Sequence, residues 1–131
     1  MSEPLFHMVA AGPSPGAPFS HAAEADGWVF LTGQMPTDPD DNSRPLPQGI
    51  EAQTRRVMDN LTIVLGGLGL GLEQVVSVRV FLTRFGDDYE AMNRTYASYF
   101  AADRRPARTC VGVSGLARDA RVEIDMIARR P

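Results

Sequence analysis

The chain has 131 residues, 44% of them hydrophobic and 22% charged, with a formal net charge of −3. That length suits one domain spanning 1–131, and the apolar share supports a core that needs no metal or disulfide staple. No apolar run approaches the roughly 18–20 residues of a membrane helix. The first twenty residues hold Glu3, His7 and several prolines in place of a basic start and apolar run, so the expected compartment is the cytoplasm.

The single cysteine, Cys110, excludes an intrachain disulfide and a cysteine-based zinc site. All thirteen basic residues are arginine. With no lysine, a Schiff base, a pyridoxal-phosphate anchor and a P-loop are impossible. Any fixed positive charge in a site must be a guanidinium, which stays protonated and grips planar carboxylates with two parallel donors. His7 and His21 are the only histidines, fourteen apart in different expected strands, and lack metal-binding spacing, so no metal is expected.

In chain order, Leu5–Ala10 reads as a short strand, followed by a Pro/Gly loop from Gly12 to Pro18. Phe19–Ala25 and Trp28–Thr32 flank Asp26-Gly27 as a hairpin. Pro36–Pro47 is an exposed loop. From Gly49 to Leu65 an apolar or small stripe at Ile50, Thr54, Val57, Leu61 and Val64/Leu65 predicts an amphipathic helix, ended by Gly66-Gly67. The glycines at 66, 67, 69 and 71 do not make a nucleotide loop, because they follow a helix where that fingerprint follows a strand.

Val75–Thr83 predicts a strand with Val76, Val78, Val80 and Leu82 on one face. A second helix is expected from Asp87, as N-cap with Glu90 three residues on, carrying the stripe Tyr89, Met92, Tyr96 and Tyr99/Phe100. Ala107–Val113 and Arg121–Ala128 complete the order. Two amphipathic helices and five or six strands predict an α+β fold, a single two-layer domain with a mixed β-sheet packed on two α-helices.

The last two strands hold the strongest constellation. Arg108 and Cys110 share one face of their strand, and Glu123 lies opposite the apolar face of Val122, Ile124 and Met126. In a suitable register an arginine, a thiol and a carboxylate could meet on one sheet face. Spacing alone favours a solvated salt bridge over such a site. The basic residues Arg104, Arg105 and Arg108 cluster locally, but a pI near 5.3 argues against a nucleic-acid partner.

Pro106-Ala107-Arg108-Thr109-Cys110 followed by Val122-Glu123-Ile124-Asp125-Met126-Ile127-Ala128 resembles the C-terminal signature of the Rid (YjgF-type) imine/enamine deaminases. Pro18-Phe19-Ser20-His21-Ala22, Phe30-Leu31-Thr32-Gly33-Gln34-Met35-Pro36, Ile50-Glu51-Ala52-Gln53-Thr54-Arg55, Val80-Phe81-Leu82-Thr83 and Ala91-Met92-Asn93 are similar to further family segments, in the same order. The resemblance implies a chorismate-mutase-like fold, usually a homotrimer with sites between neighbouring subunits, and chemistry with no metal or organic cofactor.

The implied reaction is hydrolysis of a reactive 2-imino or 2-enamino acid, such as 2-aminoacrylate, to a 2-oxo acid and ammonia. Arg108 would hold the carboxylate, Glu123 would orient or deprotonate water and return a proton to the leaving amine, and the backbone near Cys110 would bond the substrate nitrogen or water. Phe19, Thr32, Gly33 and Asn93 match positions near the cleft, although Thr32-Gly33 also reads as a structural turn and Asn93 as a residue satisfying backbone at a subunit contact. Phe19 stands where many deaminating members have tyrosine, which points to a reduced rate or a bulkier, less polar substrate; His21 replaces the usual glutamine and is a candidate to compensate. Two alternatives follow: a non-catalytic module that binds small carboxylates, and the ribonuclease or translation-inhibitor role often attached to this family.

Overall fold

The structure, a computed structural model, describes residues 3–131. Its elements are β1 (Leu5–His7), β2 (Ala22–Ala25), β3 (Trp28–Gln34), α1 (Ile50–Gly67), β4 (Val75–Leu82), α2 (Phe85–Ala97), β5 (Ala107–Gly112) and β6 (Val122–Arg129). The six strands form one sheet in the order β1-β2-β3-β6-β4-β5. Only β4 and β5 are parallel; the other neighbours are antiparallel. Both helices pack on one face, giving the expected two-layer arrangement and leaving the other face open.

The core follows from the two periodicities. Along β6, Val122, Ile124, Met126 and Ala128 are buried, and Val29, Leu31, Val78, Val80 and Leu82 join them from the neighbouring strands. The α1 stripe Ile50, Thr54, Val57, Leu61, Val64 and Leu65 meets this layer, with Met92 and Tyr96 of α2. The helix ends as the glycines suggest, but the left-handed residue is Gly69 (φ 74°). Its N–H donates to the Gly66 carbonyl at 3.1 Å and that of Leu70 to Leu65 at 2.9 Å, a Schellman closure.

Three local expectations are corrected. In β4 the ladder shifts between Val75 and Ser77, so Val75 is buried and Val76 is exposed, out of line with Val78. A bulge of this kind inverts the alternation that a plain period of two assumes. Helix α2 begins at Phe85, with no side-chain cap, so Asp87 lies inside its first turn. Its neighbour Asp88, 1% exposed, pairs with both sides of the Arg121 guanidinium and ties the start of α2 to β6. Strands β1 and β2 are shorter than expected because the Val9 N–H leaves the ladder for the His21 ring.

The C-terminal end is fastened by Glu24 on β2. Its carboxylate accepts from Arg130 at 2.6 and 3.0 Å and contacts His7 Nε2 at 2.9 Å, while Arg130 also donates to the Leu68 carbonyl. The Arg130 hydrogen bond, helped by His7 and opposed by burial, holds the Glu24 carboxyl down at about 2. Since its folded value lies below the unfolded one, the stabilisation is full above the ordinary glutamate value and fades as pH falls toward 2. Glu24→Gln should therefore cost roughly 1–3 kcal/mol at pH 7, with the gap from wild type shrinking in urea unfolding near pH 2.5. A gap that stays constant across that range would contradict this role.

Candidate active site

The strand pairing separates the expected triad. Arg108 lies opposite Val78 and Cys110 opposite Val80, residues of the buried, helix-facing layer. Glu123 lies opposite Phe81, and Asp125 opposite Arg79, on the open face. Paired residues on adjacent strands project to the same side. Arg108 and Cys110 thus face α2, and Glu123 points away from it. The arrangement in which all three meet on one face of one chain is not formed, because β4 and β5 pair in a register that joins the Arg108 face to the core.

On the open face, Glu123 stands beside a break in the ladder. The β3–β6 register shifts between Leu31 and Gln34, which takes Thr32 and Gly33 out of regular pairing. Gly33 has no side chain, and a Cβ there would overlap the Glu123 carboxylate. The missing methyl is what lets the carboxylate lie against the β3 backbone. Phe19, Thr32 and Gly33 line a cavity of about 470 Å³ here, with Arg79 and Asp125 across it. Arg79 and Asp125 form a two-pronged ion pair, with contacts of 2.6–3.2 Å. Burial, and then the nearby Asp125 charge, raise the Glu123 pKa above the ordinary value. That makes Glu123 a better base than an exposed glutamate and an easier donor once protonated.

On the helix face, Arg108 lies on an aromatic bed. Its guanidinium carbon sits 5.0 Å from the Tyr96 ring centre and 6.0 Å from that of Tyr89, with Nη1 3.9 Å from the Met92 sulfur. Among the described residues no carboxylate pairs with it, whereas Arg79, Arg121 and Arg130 each have one. Cation–π contact fixes the position of the planar head while leaving its edge donors available. β5 is the outer strand of the sheet, so this group stands at an edge of the protomer.

The surroundings of Arg108 are polar but incompletely bonded. The Tyr96 hydroxyl, and Asn93 Oδ1 on the same helix, are buried without partners among the described residues. Burial pushes Tyr96 up to about 12, against the pull of Arg108 and Arg105. Burial also raises the Cys110 thiol, with Arg108 acting in the opposite direction. A thiol held protonated is a poor nucleophile, in line with a role for the backbone there. Tyr89 and Tyr96 are the residues that sequence reading assigned only to the core stripe. Their chemical role depends on β5 facing α2, which helix periodicity alone cannot reveal.

His21 does not substitute for the missing tyrosine hydroxyl. Its ring is turned inward, 2% exposed, accepting from the Val9 N–H through Nδ1 at 2.8 Å and donating from Nε2 to the Pro13 carbonyl at 2.6 Å. Among the described residues no three His, Cys, Asp or Glu side chains gather closely enough to hold a metal ion.

The chain resembles known proteins over nearly its whole length. The family model described as Endoribonuclease L-PSP matches residues 9–130. A RutC family protein of Synechocystis is 38% identical over 124 residues, covering 95% of each chain. The 3-aminoacrylate deaminase RutC of Acinetobacter baylyi is 38% identical over 117 residues, covering 88% of this chain and 90% of that one. The crystal structure of E. coli TdcF with bound serine superposes with a TM-score of 0.85 at 25% identity, covering 95% of this chain and 99% of the other. By both sequence and fold, the chain belongs to the Endoribonuclease L-PSP family, the family of the RutC and Rid proteins.

Proposed function

We propose that this protein is a hydrolytic deaminase of 2-imino and 2-enamino acids, with each site built from Arg108 of one copy and Glu123 of another. The observation that carries the reading is the uncommitted Arg108 guanidinium, fixed on aromatic rings at a sheet edge with no carboxylate partner among the described residues. The open face offers a matching surface. Phe6, Ala23, Phe30 and Ile127 form one cross-strand row, and Phe6 and Phe30 are 70% and 47% exposed. Exposed aromatics in such a row are what a subunit contact would cover. A homotrimer that stacks the β5 edge of one copy against the open face of the next brings the two halves together.

The chemistry then needs only these groups and water. Arg108 holds the substrate carboxylate through two parallel charge-assisted bonds, which fixes the position of the C=N carbon. An enamine such as 2-aminoacrylate first takes a proton at its terminal carbon to become the imine. Glu123 takes a proton from water as the water oxygen bonds to the C=N carbon and passes it to the imine nitrogen, forming a neutral carbinolamine. The same carboxylate then accepts the hydroxyl proton and delivers it to the amine as the C=O bond forms and the C–N bond breaks, so that ammonia leaves a 2-oxo acid. The name of the Acinetobacter relative, a 3-aminoacrylate deaminase, and the serine bound in TdcF support a site for small nitrogen-bearing acids.

A second reading is favoured by Phe19, whose ring at the cavity offers no hydrogen bond where a hydroxyl would help the transition state. On that reading the site binds small carboxylates without turnover.

The decisive assay follows 2-aminoacrylate generated in situ. Wild type accelerates ammonia release; Glu123→Gln lowers the rate about a hundredfold or more, and Arg108→Ala lowers kcat/KM by roughly ten- to a hundredfold, mainly through KM. Calorimetric binding of pyruvate without any acceleration supports the second reading. The pH dependence has a defined sign. Glu123 must be ionised to act, so the acid limb of kcat/KM lies above the ordinary glutamate range. Asp125→Asn removes a like charge and frees the Arg79 cation, so that limb moves to lower pH. An unmoved or upward-shifted limb contradicts Glu123 as the base.

A further inference from the structure

Glu123 and Asp125 are the two carboxylates of β6 on the open face, and their surroundings treat them differently. Asp125 accepts from Arg79 Nε at 3.0 and 3.2 Å and from Nη2 at 2.6 Å, whereas the Glu123 carboxylate takes no hydrogen bond among the described residues. Arg79 lies directly across the β4–β6 pairing from Asp125, and its guanidinium carbon sits 5.6 Å from the ring centre of Phe81, the residue opposite Glu123. One planar group therefore spans both rungs of the ladder. It bonds the carboxylate of one and lies over the aromatic partner of the other.

Packing does not hold Asp125 in place. The ion pair lines both the cavity of about 470 Å³ that reaches Phe19 and Gly33 and a smaller one of about 120 Å³ bounded by Phe30, Ser77 and Ile127. With room left around it, the two-pronged bond is what fixes where the Asp125 carboxylate points. The other charges nearby are remote or committed among the described residues. Arg129, at the far end of β6, lies over the Trp28 ring at 5.1 Å, and Arg121, just before the strand, is paired with Asp88.

Residues two apart on one strand face stand roughly 7 Å apart at the backbone. At that separation an uncompensated like charge raises a pKa by on the order of one to two units. Asp125 is the charge that acts on Glu123, so whatever offsets Asp125 decides how firmly Glu123 keeps its proton. The Arg79 side chain is 65% exposed in a single copy, where such a pair is weak. A neighbouring copy laid on the open face excludes water and strengthens it.

We propose that Arg79 is a positioning residue: by holding the Asp125 carboxylate and offsetting its charge, it leaves Glu123 as the carboxylate that exchanges protons with water and substrate. The inference rests on the deaminase reading for its reaction. Without Arg79, Asp125 stands uncompensated beside Glu123, which then stays protonated to higher pH and acts as a base over a narrower range.

The test reads Glu123 directly, by carbon NMR of its side-chain carboxyl in glutamate-labelled protein, with the signal assigned by its loss in Glu123→Gln. Arg79→Met is expected to move the Glu123 titration upward by about one pH unit, and the acid limb of kcat/KM for 2-aminoacrylate with it. Arg79→Lys, which keeps the charge and loses the two prongs, recovers about half of that shift. Arg79→Met combined with Asp125→Asn abolishes it, because the charge that Arg79 offsets is gone. An unmoved titration in Arg79→Met, the same shift in Arg79→Lys, or a shift that persists beside Asp125→Asn overturns the proposal. If wild type turns over no imine, the deaminase reading fails, and the carboxyl titrations alone decide the role of Arg79 by the same criteria.

Discussion

The two-residue period of β6, fixed by burial of Val122, Ile124, Met126 and Ala128, is the constraint on which the rest depends. With those four side chains committed to the helices, Glu123 and Asp125 have no choice but the open face. The parallel pairing of β4 with β5 carries the same rule outward and sends Arg108 and Cys110 to the helix side. A one-residue slip at β6 would place two carboxylates in the core, so the separation of Arg108 from Glu123 is as firmly set as the core itself. The two groups that the proposed reaction needs are held on opposite faces of one sheet, and a second copy is the direct way to join them.

Each half is prepared for its part by different physics. Arg108 is positioned by the faces of Tyr89 and Tyr96, contacts that leave its hydrogen-bond donors free for an incoming carboxylate. Glu123 is prepared by burial against a residue without a side chain and by the neighbouring Asp125, both of which increase its hold on a proton. The remaining strong ion pairs do something else. Asp88–Arg121 and Glu24–Arg130 fasten element ends to the sheet, and their cations have carboxylate partners, as Arg108 among the described residues does not.

Much of the fold was legible because it depends on local patterns. The α1 stripe, the Asp26-Gly27 turn and the alternation along β6 each appear in the sequence as they do in the structure. The errors arose where a single residue changed the local rule. The bulge near Val76 turned that one residue out of the β4 stripe, leaving Val78, Val80 and Leu82 buried as expected, and α2 starts two residues before Asp87, the cap position assigned from sequence. At the site, residue types pointed to Arg108 and Glu123, but only strand pairing could reveal that they face apart. Likewise, His21, two residues after Phe19, suggested a share in the site, whereas its ring turns inward to hold the Pro13 loop. Both residues precede β2, so strand alternation does not govern them, and only the hydrogen bonds of the folded loop show where each ring turns.

The central claim is that one copy supplies Arg108 and another supplies Glu123, and mixing two impaired variants tests it most directly. Arg108→Ala and Glu123→Gln chains, each strongly impaired alone at substrate concentrations below the wild-type KM, are co-expressed with different tags, and doubly tagged oligomers are isolated and assayed. In a cyclic trimer, any mixture of the two variants contains one interface with both residues intact. The account predicts that the isolated mixed trimers carry one wild-type site in three, about a third of the wild-type activity, with the wild-type KM at those sites. Mixed oligomers no more active than the separate variants would contradict a site shared between copies.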